Sequence, residues 1–166
     1  PYVGATFKTQ FAKGFNYTDV GKVALSQFLD PAYLTQSAGV GFQPREEFKT
    51  RLGLALREII TRDFNGFTDD PKTAKIEKSD IDGGLESVSD VSWKLMEDVL
   101  YTSKLEIFMP FSDVGATSFN LDNKVAMKVN KYITANINLQ IIDDETASKK
   151  TQVKEALAIG LSYSFL

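Results

Sequence analysis

Strict alternation is the property of this chain that most limits its fold. From Ile133 to Ile141 the odd positions are Ile133, Ala135, Ile137, Leu139 and Ile141, and the even ones are Thr134, Asn136, Asn138 and Gln140. Successive side chains of a strand point to opposite faces, so this segment is a strand with one apolar and one polar face. The final segment behaves alike. Val153, Leu157, Ile159, Leu161, Tyr163 and Phe165 alternate with Lys154, Ala156, Ala158, Gly160, Ser162 and Ser164, and only Glu155 interrupts the apolar side.

Read this way, the chain divides into eight strands at about 2–17, 31–43, 48–62, 77–95, 99–109, 118–129, 131–143 and 152–165. Glu46 to Ile60 also admits a helix, although Phe48, Leu52, Leu54, Leu56 and Ile60 fit one strand face. The connections alternate in length. Long ones run 18–30, 63–77, 110–117 and 143–151, and tight ones lie at 43–47, 96–98 and 130–131. In an antiparallel meander this collects the tight turns and both termini at one end and the long polar loops at the other. Outer-membrane barrels have that asymmetry, with short periplasmic turns and longer outside loops.

Alternation alone does not say whether the apolar face meets a core or lipid. Three features favour lipid. Several strands exceed the ~9–11 residues that cross a bilayer at a tilt, whereas soluble strands centre near five or six. Aromatic residues gather at the tight-turn end: Phe42, Phe48, Trp93, Tyr101, Tyr132, Tyr163 and Phe165, as in an interfacial girdle. Strict parity turns Tyr132 inward, so it belongs on the turn itself. The chain also finishes in an alternating strand with an aromatic near its end, similar to the signal that barrel-assembly machinery reads, although Leu166 follows the last aromatic. The expected fold is therefore all-β: an antiparallel up-and-down transmembrane β-barrel forming a single domain over 1–166. The runner-up is a soluble lipocalin-like β-barrel binding an apolar ligand.

Composition fits this without revealing it. The chain is 43% hydrophobic with a mean hydropathy of −0.17, as expected when only half of each strand is apolar. No run approaches the ~20 apolar residues of a spanning helix. The 166 residues include neither His nor Cys, which removes the commonest general base, the thiol nucleophile and the usual transition-metal ligands. A net charge of −3 argues against nucleic acid. No Gly-x-Ser-x-Gly elbow occurs. Asp80 and Asp82, two apart on one strand, read as a charged face rather than an acid–base pair, and Gly83-Gly84 reads as a bend rather than a phosphate loop. Asp69-Asp70 and Asp143-Asp144-Glu145 are loop acids, for which solvation outweighs cation binding. An enzyme, a cofactor and a metal are all unexpected.

If the apolar face meets lipid, the other lines a lumen. It would carry Lys8 and Gln10, then Lys49, Arg51 and Arg57, then Asp80, Asp82, Glu86, Asp90 and Lys94. Lys104 and Glu106 follow, with Asp122, Lys124 and Lys128, then Asn136, Asn138 and Gln140, and finally Lys154. The basic strand at 48–62 sits beside the acidic strand at 77–95, with Lys104 on the next strand beyond, so cross-strand pairs are expected. They form either a charged eyelet selecting small solutes or a salt-bridge network that fills a small barrel, and the second is favoured for eight strands.

Three stretches carry a family resemblance: Ala5-Thr-Phe-Lys-Thr-Gln-Phe-Ala-Lys-Gly-Phe-Asn-Tyr17, Lys128-Val-Asn-Lys-Tyr-Ile-Thr-Ala135 running on to Asp144, and Lys154-Glu-Ala-Leu-Ala-Ile-Gly-Leu-Ser-Tyr163. They resemble the C-terminal part of a family of uncharacterised outer-membrane barrel proteins from Bacteroidetes and related Gram-negative bacteria. The resemblance brings no catalytic motif. Members are longer, with a signal peptide and further strands upstream, whereas the sequence here starts inside a strand. Either eight strands close alone, or these are the last eight of about twelve and the domain is N-terminally incomplete. The functional expectation is a small porin-like pore, or a structural or accessory subunit of an outer-membrane assembly. Its partners would be the lipid bilayer, the assembly machinery and other outer-membrane proteins. Its termini would be periplasmic and its long loops extracellular.

Overall fold

The computed structural model describes residues 1–18, 21–69, 72–144 and 151–161. Ten strands follow in chain order: β1 Tyr2–Thr9, β2 Gly14–Thr18, β3 Gly21–Ser26, β4 Ala32–Arg45, β5 Phe48–Ile60, β6 Ser79–Met96, β7 Val99–Pro110, β8 Ser118–Lys128, β9 Ile133–Asp143 and β10 Gln152–Leu161. Two single turns of 3-10 helix, Asn65–Phe67 and Val114–Ala116, interrupt the long connections, and the described residues contain no α-helix. Glu46 to Ile60, the stretch that also admits a helix, is strand from Phe48 onward.

Eight strands form one antiparallel sheet in the order β1-β4-β5-β6-β7-β8-β9-β10. The sequence predicts a closed barrel; here β1 and β10 are the two edges of an open sheet. The remaining two strands correct the expectation of one strand over 2–17 and a loop to Asp30. β1 stops at Thr9, and β2 and β3 pair as a separate hairpin. Gly14 permits this break: a Cβ there would run into the Ser26 hydroxyl and crowd the Gln10 side chain. The Gln10 amide and Ser26 hydroxyl are hydrogen-bonded at 2.7 Å, tying the hairpin root to the end of β1.

The sheet is strongly curled. Lys8 of β1 reaches Glu106 of β7 at 2.7 Å. On a flat sheet those strands, four positions apart, would stand ~19 Å from each other, more than two extended side chains span. Arg57 of β5 likewise reaches Asp144, just beyond β9, at 3.6 Å. Both contacts span the hollow of the sheet, so the face bearing these charges is concave.

Burial inverts the arrangement of a soluble sheet. On β5 the outward Leu52, Leu54 and Leu56 are 53%, 61% and 56% exposed, while the inward Ala55 and Ile59 are 5% and 3% exposed. Val3, Phe7, Val40, Phe42, Ile81 and Trp93 continue the exposed apolar side. Ser37, Glu86 and Ser118 are buried on the other. The small buried set of Ala32, Ala55, Ile59, Val88 and Phe108 is no conventional core.

Candidate functional site: the concave polar face

Register brings the charged residues into rows. Lys49 lies opposite Asp90, Asp90 opposite Lys104, Lys104 opposite Asp122, Asp122 opposite Gln140, and Gln140 opposite Lys154. Charge therefore alternates from β5 to β8 along one row. Opposite charges in direct cross-strand positions favour this register, and a one-residue slip would turn them all to the apolar side.

Glu106 is the hub of the concave face. Its carboxylate accepts from Lys8 at 2.7 Å, from Lys104 at 2.6 Å and from the Asn120 amide at 3.1 Å. Asn120 in turn accepts from Gln140 at 3.0 Å, and the Asn138 amide donates to Asp122. Two lysines, two carboxylates and three amides thus form two hydrogen-bonded groups spread over β1 and β7 to β9. Such charge-assisted bonds are shorter and stronger than neutral ones.

A second cluster surrounds Arg57. Its guanidinium stacks on the Phe108 ring at 3.9 Å, donates to the Ser118 hydroxyl at 3.1 Å and pairs with Asp144. Beside it, Asp82 accepts from the Ser112 hydroxyl at 2.7 Å, and Asp80 and Asp82 line the same hollow of about 130 Å³. Phe108 fits because Gly84 lies beneath it, where a Cβ would meet the ring and the Met109 carbonyl.

The third cluster is Tyr2, Arg51 and Glu86. Tyr2 lies over Gly39 and Gly53, with the Arg51 guanidinium 5.3 Å from its ring. Arg51 and Glu86 approach at 3.8 Å, too far for a hydrogen bond. Among the described residues the Tyr2 hydroxyl, Arg51 Nε and Glu86 Oε2 are buried without a hydrogen-bond partner.

The expected lumen residues thus divide. Lys8, Arg51, Arg57, Asp82, Glu86, Lys104, Glu106, Asp122, Asn138 and Gln140 join the contacts above, with Asp80 beside them. Lys49, Asp90 and Lys154 stand in the alternating row. Lys94 and Lys128 line a hollow of about 380 Å³ at the tight-turn end. Lys124 and Asn136 share the inward parity of Asp122 and Asn138, Lys124 exposed and Asn136 half-buried. Gln10 is the exception: it lies beyond β1 and bonds to Ser26 at the hairpin root.

Reasoning from polarity missed the apolar and aromatic residues on this face, namely Tyr2, Ile59, Val88 and Phe108. Parity with Asp122 would have found Ser118 and Asn120. Of the aromatic girdle, Phe42 and Trp93 are exposed on the outer side. Phe48 and Tyr101 are half-buried, and the Tyr101 hydroxyl donates to Asn123 at 2.7 Å. Tyr132 lies on the turn before β9, as its parity required. Tyr163 and Phe165 lie outside the described residues, as do Asp70 and Glu145. Among the described residues no group of three or more His, Cys, Asp or Glu is placed to hold a metal ion.

A family described as a protein of unknown function, DUF481, matches residues 33–165, from the start of β4 onward. β1 and the β2–β3 hairpin precede the matched region. No curated protein and no solved structure matches the chain.

Proposed function

We propose that this chain, which belongs to the DUF481 family of proteins of unknown function, is an integral outer-membrane β-barrel with a structural, non-enzymatic role. The observation that carries this reading is the inversion of burial: leucines outside, charged hydrogen-bonded groups inside. A contiguous exposed apolar face of this extent marks a surface made for an apolar surrounding. A backbone can enter lipid only where its polar groups are paired, which an antiparallel sheet achieves once its edges meet. Closure by β1 against β10 completes the proposal. Curvature that lets Lys8 and Arg57 reach across the hollow supports it.

Strand length, the tight turns at one end and the exposed Phe42 and Trp93 near them support the same reading, with that end periplasmic. The resemblance to outer-membrane proteins of Bacteroidetes and their relatives agrees with it. The hydrogen-bonded clusters around Glu106 and Arg57, which reach across the concave face, favour a scaffold or accessory subunit over an open pore. The alternating sequence of the last segment, with Tyr163 and Phe165, suits recognition by assembly machinery.

Detergent extraction followed by planar-bilayer recording tests both halves. The account predicts extraction only with detergent, heat-modifiable gel mobility and no conductance steps. Solubility without detergent overturns the membrane assignment and returns the lipocalin-like alternative. Regular steps overturn the structural role in favour of a pore.

A further inference from the structure

The β2–β3 hairpin and the turn that follows it present an aromatic surface that the interior does not use. Gln27 and Asp30 close a tight turn through two backbone hydrogen bonds of 2.8 and 3.0 Å, leaving Phe28 and Leu29 at its tip. Turn tips of this kind favour Gly, Asn or Asp. Here both tip residues are large and apolar, 56% and 39% exposed, and Leu29 adopts a φ of 60°, a conformation that bulky residues avoid. A residue is held in such a conformation only where the surrounding structure over-determines it.

The tip continues the outer face of the sheet. Val3 and Phe7 point outward on β1, and Phe11, just beyond the end of that strand, is 88% exposed. Phe28 packs edge-to-face on Phe11, with ring centroids 5.9 Å apart. The Leu29 amide donates to the Thr9 hydroxyl at 3.1 Å, which fixes the turn to the end of β1. On β2, Phe15 is exposed and the Lys22 ammonium sits 3.7 Å over its ring. Exposed aromatic rings with a lysine above one of them suit the boundary between acyl chains and headgroups, where the ring is buried and the ammonium meets phosphate.

The height agrees. About twelve residues along β4 separate Phe42, at the tight-turn end, from the level of this turn, or roughly 30 Å along the membrane normal for strands tilted ~40°. That is the thickness of a hydrocarbon core. The geometry points to Phe11, Phe15, Phe28 and Lys22 as an anchor in the lipid headgroup boundary of the loop-side leaflet. This rests on the membrane reading above. A lipid occupant is favoured over a protein by continuity with the apolar outer face and by the pairing of ammonium with ring.

Trp93, the single tryptophan, gives an internal control at the opposite boundary. Phe28→Trp and Phe11→Trp, each in a Trp93→Phe background, are reconstituted as the full chain into phosphatidylcholine–phosphatidylglycerol vesicles containing brominated lipids. The expected result is blue-shifted emission from both positions, quenched most by bromine placed nearest the headgroup. Unquenched, water-like emission from both while native Trp93 is quenched overturns the anchor and leaves the membrane reading standing. Strongest quenching by bromine deep in the chains also overturns the anchor. Loss of quenching at all three positions, Trp93 included, overturns both. Because Phe11 and Phe28 are both exposed, agreement between their variants guards against one that misfolds.

Discussion

Lys8 and Glu106 meet at 2.7 Å although β4, β5 and β6 lie between their strands in the sheet. A contact so distant in strand order exists only because the sheet curls with its charged side inward. Glu106, with its side chain 18% exposed, binds Lys8 and Lys104 together, so the pair is held within a network rather than free in solvent.

A double-mutant cycle on Lys8→Met and Glu106→Gln measures that curl. Lys8 is more than half exposed, which limits the coupling to ~1 kcal/mol. Glu106→Gln alone, which leaves Lys8 and Lys104 without their carboxylate, should cost about 1–3 kcal/mol in denaturant unfolding. Zero coupling between the two positions would mean that the sheet is flatter than described.

Inward glycines should be the least replaceable residues of the concave face. A Cβ at Gly53 would collide with the Ala38 carbonyl and the Tyr2 hydroxyl, and one at Gly84 with the Met109 carbonyl and the Phe108 ring. Gly53→Ala and Gly84→Ala should each lose ~1–3 kcal/mol. Gly66→Ala, whose Cβ would meet nothing within 4 Å, should stay within about 0.5 kcal/mol of the parent. Thermal unfolding of the three variants side by side decides the matter.

Asp30 should make stability depend on acid. The residue is 1% exposed, and burial pushes its carboxyl pKa up. Three backbone amides donating to it, from Arg62 at 3.0 Å, Asp63 at 2.6 Å and Phe64 at 3.2 Å, outweigh that and hold it below its usual 3.8. A carboxyl depressed in the folded state stabilises fully above its unfolded value and loses that contribution as pH falls through the folded one. Asp30→Asn should therefore cost ~1–3 kcal/mol at neutral pH. The difference from the parent should shrink below about pH 4. Unfolding midpoints measured from pH 7 down to pH 2 would show the two curves converging; parallel curves would contradict the clasp.

Much of this architecture is legible in the sequence, because period-two alternation determines strand, face and register parity together. The run from Ile133 to Ile141 is strand throughout, and its outward and inward sets lie as alternation placed them. The tight turns at Glu46-Glu47 and Glu97-Asp98 were equally plain. What escaped was non-local. The β2–β3 hairpin was hidden because Phe15, Tyr17 and Val23 carry no clean alternation across Gly14 and Gly21. Tyr2 and Phe108 are apolar in composition yet inward, accommodated by glycines on neighbouring strands that only the register brings beneath them. The contacts of Glu106 with Lys8 and of Arg57 with Asp144 depend on curvature, which no local pattern encodes. The Asp30 clasp joins a turn to a loop more than thirty residues away.

Whether the leucine side of β5 meets lipid is the central question, and the absence of cysteine makes it directly measurable. A spin label is attached to Leu54→Cys, 61% exposed in the parent, and compared with one on its neighbour Ala55→Cys, 5% exposed. Both proteins are examined in bilayers for collision with dissolved oxygen, which concentrates in lipid, and with a water-soluble nickel chelate. The account predicts that the label at position 54 collides freely with oxygen and hardly at all with nickel, while the label at position 55 is immobilised. Free access of nickel to position 54 would place that face in water and contradict the account.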